Sequence, residues 1–126
     1  MKKLLAGLLF LAACHPVQDM SKLDSAVELF HQRLAAGDDD TIYREAGPEY
    51  QRSIDAETNH RFFAQILRTR GMPGRYHRTA YNVAYNGEIE TVVEEYRVSY
   101  EKGDAAETFI WRLADGKATL IGFTIR

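Results

Sequence analysis

Residues 89–100 have the sequence IETVVEEYRVSY, in which every second side chain from Val92 to Tyr100 is apolar, aromatic or glutamate. This period of two is typical of a strand with one buried face. Residues 79–85, 109–113 and 121–125 follow a similar pattern, and short turn sequences separate the segments at Asn86-Gly87, at 102–104 and at Asp115-Gly116. Asn-Gly is a common type I′ hairpin turn. The sequence therefore predicts a four-stranded antiparallel meander with one apolar face.

The residues before these strands change to helical spacing. An apolar stripe from Leu23 to Leu34 predicts a first helix with a capped start at Ser21 and a stop at Gly37. Residues 38–46 predict a short helix with an acidic first turn, which ends at Gly47-Pro48. A third helix is expected from Asp55 or Thr58 to Gly71, and it carries a phenylalanine-rich face. About three helices that cover one face of a sheet make an α+β layer architecture.

The first fourteen residues have the features of an export signal. Lys2 and Lys3 precede an apolar run over residues 4–13, and the run closes with Leu11-Ala12-Ala13-Cys14. This ending resembles the lipobox of bacterial lipoproteins, in which the cysteine is acylated and the signal is cut before it. We therefore expect a signal peptide at 1–13, a lipidated tether at 14–22 and one domain at 23–126. The alternative is a buried N-terminal helix with an incidental cysteine.

Several consequences follow from lipidation at Cys14. Ten apolar residues rise only about 15 Å as a helix, roughly half of a bilayer core, so this segment is too short to span. Two or three acyl chains would anchor the protein permanently. By analogy with lipoprotein sorting in Gram-negative bacteria, His15 in place of an aspartate after the cysteine favours the outer membrane, facing the periplasm. In a Gram-positive host the same signal would mean the outer face of the plasma membrane. Acylation would also consume the sulfur of the single cysteine.

Charge and histidine spacing exclude other classes of function. Without residues 1–13 the chain has 14 basic and 18 acidic residues, a net charge of −4, which does not favour nucleic-acid binding. His31, His60 and His77 stand far apart, and no metal-binding histidine or paired-cysteine spacing is present. We expect no cofactor and no metal site.

A family resemblance rests on turns and apolar positions between residues 23 and 126. The residues that carry it are Ala36-Gly37-Asp38, Arg70-Gly71, Arg78-Thr79, Glu107-Thr108, Asp115-Gly116-Lys117 and residues 120–126. The chain resembles the NTF2-like (cystatin-like cone) fold, and more narrowly it is similar to the DUF4019 family of exported bacterial proteins of unknown function. The resemblance implies a cone between helices and sheet, where NTF2-like enzymes typically use an aspartate or histidine as a base.

Four residues are candidates for a ligand site inside this cone. Glu94 is in phase with Tyr96, and Glu107 is in phase with Trp111, so both carboxylates could face the cone among aromatic side chains. A carboxylate in such surroundings has a raised pKa and could act as a general base. The alternative is that each glutamate lies at a strand end and is solvated. The tyrosines at 81, 85, 96 and 100 could line the same pocket or pack as ordinary sheet residues.

Arginines are concentrated where the third helix gives way to the sheet. Arg68, Arg70, Arg75 and Arg78 fall within eleven residues. Arginine suits bidentate contact with phosphate or carboxylate, so these residues are candidates for binding a lipid headgroup or an acidic partner. The alternative is a solvated turn whose charges offset acidic surface elsewhere.

These observations favour a non-catalytic, lipid-anchored envelope protein that binds a protein partner or a small apolar ligand at the membrane surface. One alternative is a periplasmic immunity or inhibitor protein. Another is a small isomerase or hydrolase that uses Glu94 or Glu107. The resemblance also makes a homodimer through the outer face of the sheet an open alternative.

Overall fold

The computed structural model describes residues 20–126. The predicted signal peptide at 1–13, the lipidation site at Cys14 and the tether up to residue 19 lie outside the described residues. Within residues 20–126, no helix is both long enough and apolar enough to cross a membrane.

Within residues 20–126, four helices precede the sheet: α1 Met20–Ala35, α2 Asp39–Glu45, α3 Pro48–Ser53 and α4 Ala56–Arg70. The Asp38 side chain accepts from the Thr41 N–H at the start of α2, and Asp55 accepts from the Thr58 N–H at the start of α4. Both caps satisfy helix donors that would otherwise lack a partner. α1 is described from Met20 onward, so Ser21 lies inside the helix and not at its cap, and residues 20–22 are helical.

Helix α3 has no counterpart in the sequence prediction. α2 ends at Glu45 with Ala46 as its C-cap, as predicted, and Gly47-Pro48 then also begins a new helix, with Gly47 as its N-cap and Pro48 in its first turn. Proline is tolerated there because the first helical N–H has no acceptor within the helix. The Gly47 N–H donates to the Leu120 carbonyl at 2.8 Å, which attaches this turn to the last strand.

The sheet is the predicted meander. Its strands are β1 Pro73–Asn86, β2 Ile89–Tyr100, β3 Gly103–Ala114 and β4 Lys117–Ile125, and each is hydrogen-bonded to the next in antiparallel fashion. Asn86 pairs with Ile89, so the first two-residue turn is Gly87-Glu88, one position later than expected. The turn at Asp115-Gly116 lies where it was predicted, and both of its residues have positive φ angles.

The core lies between the concave face of the sheet and the helices. Side chains from β2 and β3 meet the apolar stripes of α1 and α4 there, and aromatic rings fill most of the space. The large hydrophobic side chains buried on these elements are Leu23, Val27, Phe30, Leu34, Phe63, Ile66, Val92, Tyr96, Val98, Tyr100, Phe109, Trp111 and Leu113. The α+β prediction is therefore confirmed.

One buried hydrogen bond joins α3 to α4. The Tyr50 hydroxyl donates to Oδ1 of fully buried Asn59 at 2.6 Å. We expect Tyr50→Phe to lower the free energy of unfolding by about 1–3 kcal/mol, because the amide oxygen would remain buried without this donor. Urea denaturation checks this, with Tyr85→Phe as a control on an exposed tyrosine. Equal stability of the two variants would contradict the prediction.

Candidate functional site

The carboxylate of Glu94 is fully buried on the concave face of β2. Its Oε1 accepts from the Trp111 indole N–H on β3 at 3.0 Å. Its Oε2 lies 3.2 Å from the Arg78 guanidinium on β1 and 3.4 Å from the Tyr96 hydroxyl. Both oxygens therefore have partners inside the protein. The alternative that Glu94 is solvated at a strand end is wrong.

Arg78 connects this buried carboxylate to the surface. The same guanidinium nitrogen donates to Asp24 on α1 at 2.8 Å and to the Tyr96 hydroxyl at 2.9 Å. The hydrogen bond to Asp24, then the charges around it, raise the pKa of Arg78 despite its partial burial. The arginine therefore stays charged and compensates Glu94 from the solvent side.

Burial has the largest effect on the pKa values of Glu94 and Tyr96. Removal from water raises the pKa of Glu94 above its usual value, although the Arg78 charge and the Trp111 hydrogen bond act in the opposite direction. Burial and the neighbouring Glu94 carboxylate raise the pKa of Tyr96 to about 12. The protonated phenol of Tyr96 is therefore available as a hydrogen-bond donor throughout the neutral range.

Glu107 forms a second buried cluster on β3. The ring nitrogen Nε2 of His31, on α1, lies 2.8 Å from Glu107 Oε1, and the Tyr100 hydroxyl donates to Oε2. Glu107 has no exposed surface, so its solvated alternative is also wrong. Burial, followed by the Glu107 charge, raises the pKa of Tyr100 well above the usual range. This arrangement ties α1 to the two central strands.

Three aromatic rings pack against the His31 ring. Its ring lies 4.4 Å, centroid to centroid, from the Tyr76 ring and packs edge-on against Phe30 and Phe109. The other ring nitrogen, Nδ1, is buried and has no hydrogen-bond partner. A proton on Nε2 lets this nitrogen donate to the Glu107 carboxylate, which can only accept.

A shallow cleft of about 290 Å³ opens above the Glu94 cluster. It is lined by Asp24 and Glu28 from α1, and by Tyr76, Arg78 and Tyr96 from the sheet. Arg78 and Tyr96 line the cleft and also bond to Glu94, so they stand between that carboxylate and solvent. Two acidic side chains face one arginine here, and that arginine is already paired.

The space beside Trp111 is small. A cavity of about 90 Å³ lies between α1, α2 and the sheet, with Phe30, Ile42 and Leu120 in its wall. Pockets that take small organic ligands usually have volumes of about 300–1,000 Å³. Phe109 stacks on Trp111 with ring centroids 5.5 Å apart. Tyr96 and Trp111 thus act as packing and hydrogen-bonding groups around the carboxylates.

The four candidate arginines do not share one environment. Arg68 and Arg70 lie in the last turn of α4, whereas Arg75 and Arg78 are in β1, because this strand begins at Pro73 and not near Thr79. The expected helix-to-sheet turn is therefore shorter than predicted. Arg78 is occupied by Asp24 and Glu94, so it differs from the other three.

Three members of the site were not singled out from the sequence. His31, Tyr76 and Asp24 contact the two clusters or line the cleft. His31 follows Val27 by four residues and so continues the buried stripe of α1. This spacing indicates that the histidine faces the core. Tyr76 lies before the strand start that the sequence predicted, so its position could not be inferred.

Among residues 20–126, no three side chains of histidine, cysteine, aspartate or glutamate come together as a group that could hold an ion. His60 does contact Asp39, at 3.0 Å, but this pair joins α4 to α2.

Comparison with protein-family models gives no match, and comparison with curated proteins gives none either. Solved structures do match. A protein named Rd1NTF2_05, with five named substitutions, is 11% identical over 86% of this chain and all of its own, with a TM-score of 0.54. Bd1075 of Bdellovibrio bacteriovorus is 10% identical over 83% of this chain, with a TM-score of 0.53, and the match spans 39% of Bd1075.

A third similar structure is an NTF2-like protein of unknown function from Burkholderia pseudomallei, 16% identical over 85% of this chain and 88% of its own, with a TM-score of 0.39. At these identities the likeness concerns the fold alone. The domain is an α+β NTF2-like cone.

Proposed function

We propose that this NTF2-like cone belongs to a lipid-anchored protein of the bacterial envelope, related to the DUF4019 family, which binds a protein partner through its surface without catalysis. The observation that supports the binding role is the interior. Both cone carboxylates have no exposed surface, and each of their oxygens has a hydrogen-bond partner. A reactant would have to displace Arg78 and Tyr96 to reach Glu94.

A protein partner fits this interior better than a small apolar ligand does. The aromatic rings leave about 90 Å³ beside Trp111, less than a typical ligand pocket. Recognition would then use the outer surface, where Arg68, Arg70 and Arg75 remain candidates for contact with an acidic partner. An immunity or inhibitor protein is one form of this function, and the identity of the partner would distinguish it from an adaptor.

The anchoring part of the proposal depends on Cys14. We expect cells that express the full chain to incorporate an alkyne-tagged fatty acid into it and to retain it in the membrane fraction. Cys14→Ser should abolish the label and release the chain from membranes. His15→Ala is a control that leaves the acylated sulfur in place. Fatty-acid labelling of the Cys14→Ser variant would contradict lipidation. So would the absence of the label from the parent chain.

A second candidate function follows from the raised pKa of Glu94 and its position behind the cleft. An isomerase or hydrolase could use this carboxyl as a general acid or base if Arg78 and Tyr96 moved aside. A small molecule that co-purifies with the parent chain and is lost in Glu94→Gln would favour this function over partner binding.

A further inference from the structure

The first strand lies at an edge of the sheet. β1 pairs with β2 on one side, and among residues 20–126 no other strand lies beside it. An edge strand presents a row of backbone N–H and C=O groups that can pair with a further strand. Most soluble proteins protect such an edge with charged residues, proline or a covering segment.

The distal half of β1 lacks this protection. Residues 79–86 have the sequence TAYNVAYN, which contains neither a charged residue nor a proline. Tyr81 is 53% exposed and Tyr85 is 58% exposed. Ile89 and Val93, on the paired strand β2, are also exposed large apolar residues. The β1–β2 hairpin therefore holds four of the six exposed large apolar side chains in residues 20–126.

This segment is complementary to itself. Val83 has a tyrosine two positions before it and another two positions after it, and its immediate neighbours are Asn82 and Ala84. If two copies pair in antiparallel fashion about Val83, Tyr81 of each copy faces Tyr85 of the other. Aromatic cross-strand pairs stabilise a sheet, and the absence of charge removes like-charge repulsion about the two-fold axis.

We propose that two copies of the chain form a symmetric dimer by antiparallel pairing of residues 80–86 of β1, with the two-fold axis at Val83. The dimer joins the two sheets into one of eight strands. A second copy is the occupant because the near-palindromic pattern of tyrosines matches itself. This contact is separate from a dimer through the outer sheet face, and it does not depend on the proposed partner binding or lipidation.

Cysteine cross-linking in whole cells that express the full chain tests the pairing and its register, whether or not the chain is anchored. Directly opposite Cβ atoms lie about 4.5–5.5 Å apart in an antiparallel pair, close to what a disulfide requires. In the full chain, Val83→Cys should therefore oxidise to a species of twice the 14.4 kDa chain mass. Val93→Cys is the matched control, because it is exposed on β2 away from the edge. The parent chain measures any cross-linking through Cys14.

Two differently tagged variants fix the register. Tyr81→Cys and Tyr85→Cys should cross-link to each other when co-expressed. Either variant expressed alone should cross-link poorly, because the two copies of the same cysteine would be about 13 Å apart along the strands. Asn82→Lys combined with Ala84→Lys should abolish the Val83→Cys dimer through like-charge pairs. Co-expression with the Val83→Cys chain that carries Asn82→Glu and Ala84→Glu should restore the cross-linked dimer.

Several results would overturn the proposal. One is a yield of cross-linked dimer from Val83→Cys that is no higher than the yield from Val93→Cys. Another is that Tyr81→Cys alone cross-links as well as the co-expressed Tyr81→Cys and Tyr85→Cys variants. Cross-links from Val83→Cys to other proteins, in place of a second copy, would assign the edge to a foreign strand and reject the dimer.

Discussion

Glu107→Ala should lower the free energy of unfolding by about 2–6 kcal/mol, because two buried hydrogen-bonding partners each lose their acceptor, at a cost of about 1–3 kcal/mol apiece. The loss has a direct cause. The His31 ring and the Tyr100 hydroxyl would remain buried, and neither would keep the acceptor it now has. Urea denaturation followed by tryptophan fluorescence measures the change.

Two further substitutions separate this cause from general damage to β3. Glu107→Gln keeps the shape and one acceptor, so it should cost less than Glu107→Ala. Glu95→Ala removes a partly exposed glutamate that pairs with Arg126, and we expect a loss below about 1 kcal/mol. If Glu107→Ala were as mild as Glu95→Ala, the buried cluster would not stabilise the fold.

Arg78→Met should be the second most destabilising change, at roughly 2–3 kcal/mol near pH 7. This lies below the usual cost of breaking a fully buried pair because about a quarter of the Arg78 side chain is exposed. Glu94 would remain buried without its cation. Arg75→Ala is the control, since Arg75 is exposed on the same strand, and a change within about 0.5 kcal/mol is expected.

The pH dependence of the unfolding free energy tests whether Glu94 causes the loss of stability in Arg78→Met. Burial raises its folded-state pKa, so between the usual value near 4.5 and the raised value the folded chain binds more protons than the unfolded chain. Stability therefore falls as pH rises through this window. Arg78→Met should extend the fall to higher pH, because Arg78 holds the pKa of Glu94 down.

Glu94→Gln should remove this contribution in both backgrounds. Unfolding free energies measured from pH 4 to pH 8 in the parent, the two single variants and the double variant complete the comparison. An Arg78→Met curve parallel to that of the parent would show that the pair is not coupled.

Much of the fold could be predicted because local patterns specify it. Alternation in β2, the Asp115-Gly116 turn and the Asp38 and Asp55 caps all depend on neighbouring residues. Helix α3 was missed because Gly47-Pro48 was interpreted only as the end of α2, whereas the pair follows that end and also begins α3, where the Gly47 N–H donates to the distant Leu120 carbonyl.

The candidate site was predictable only in part. Strand phase placed Glu94 and Glu107 on the interior face. Their burial depends on partners that are distant in sequence: Trp111 and Arg78 for Glu94, and His31 for Glu107. No short-range pattern encodes those pairings. The same limit applies to Arg78, which looked like a surface charge because its partner Asp24 is 54 residues away.

Native mass spectrometry of the full chain, extracted gently from envelope membranes in a mild detergent, tests the central claim most directly. Partner binding without catalysis predicts a complex with a different protein and no stoichiometric small molecule on the domain. A small molecule bound one to one, retained by the parent and lost in Glu94→Gln, would contradict the claim and assign the cone to a reaction or a ligand.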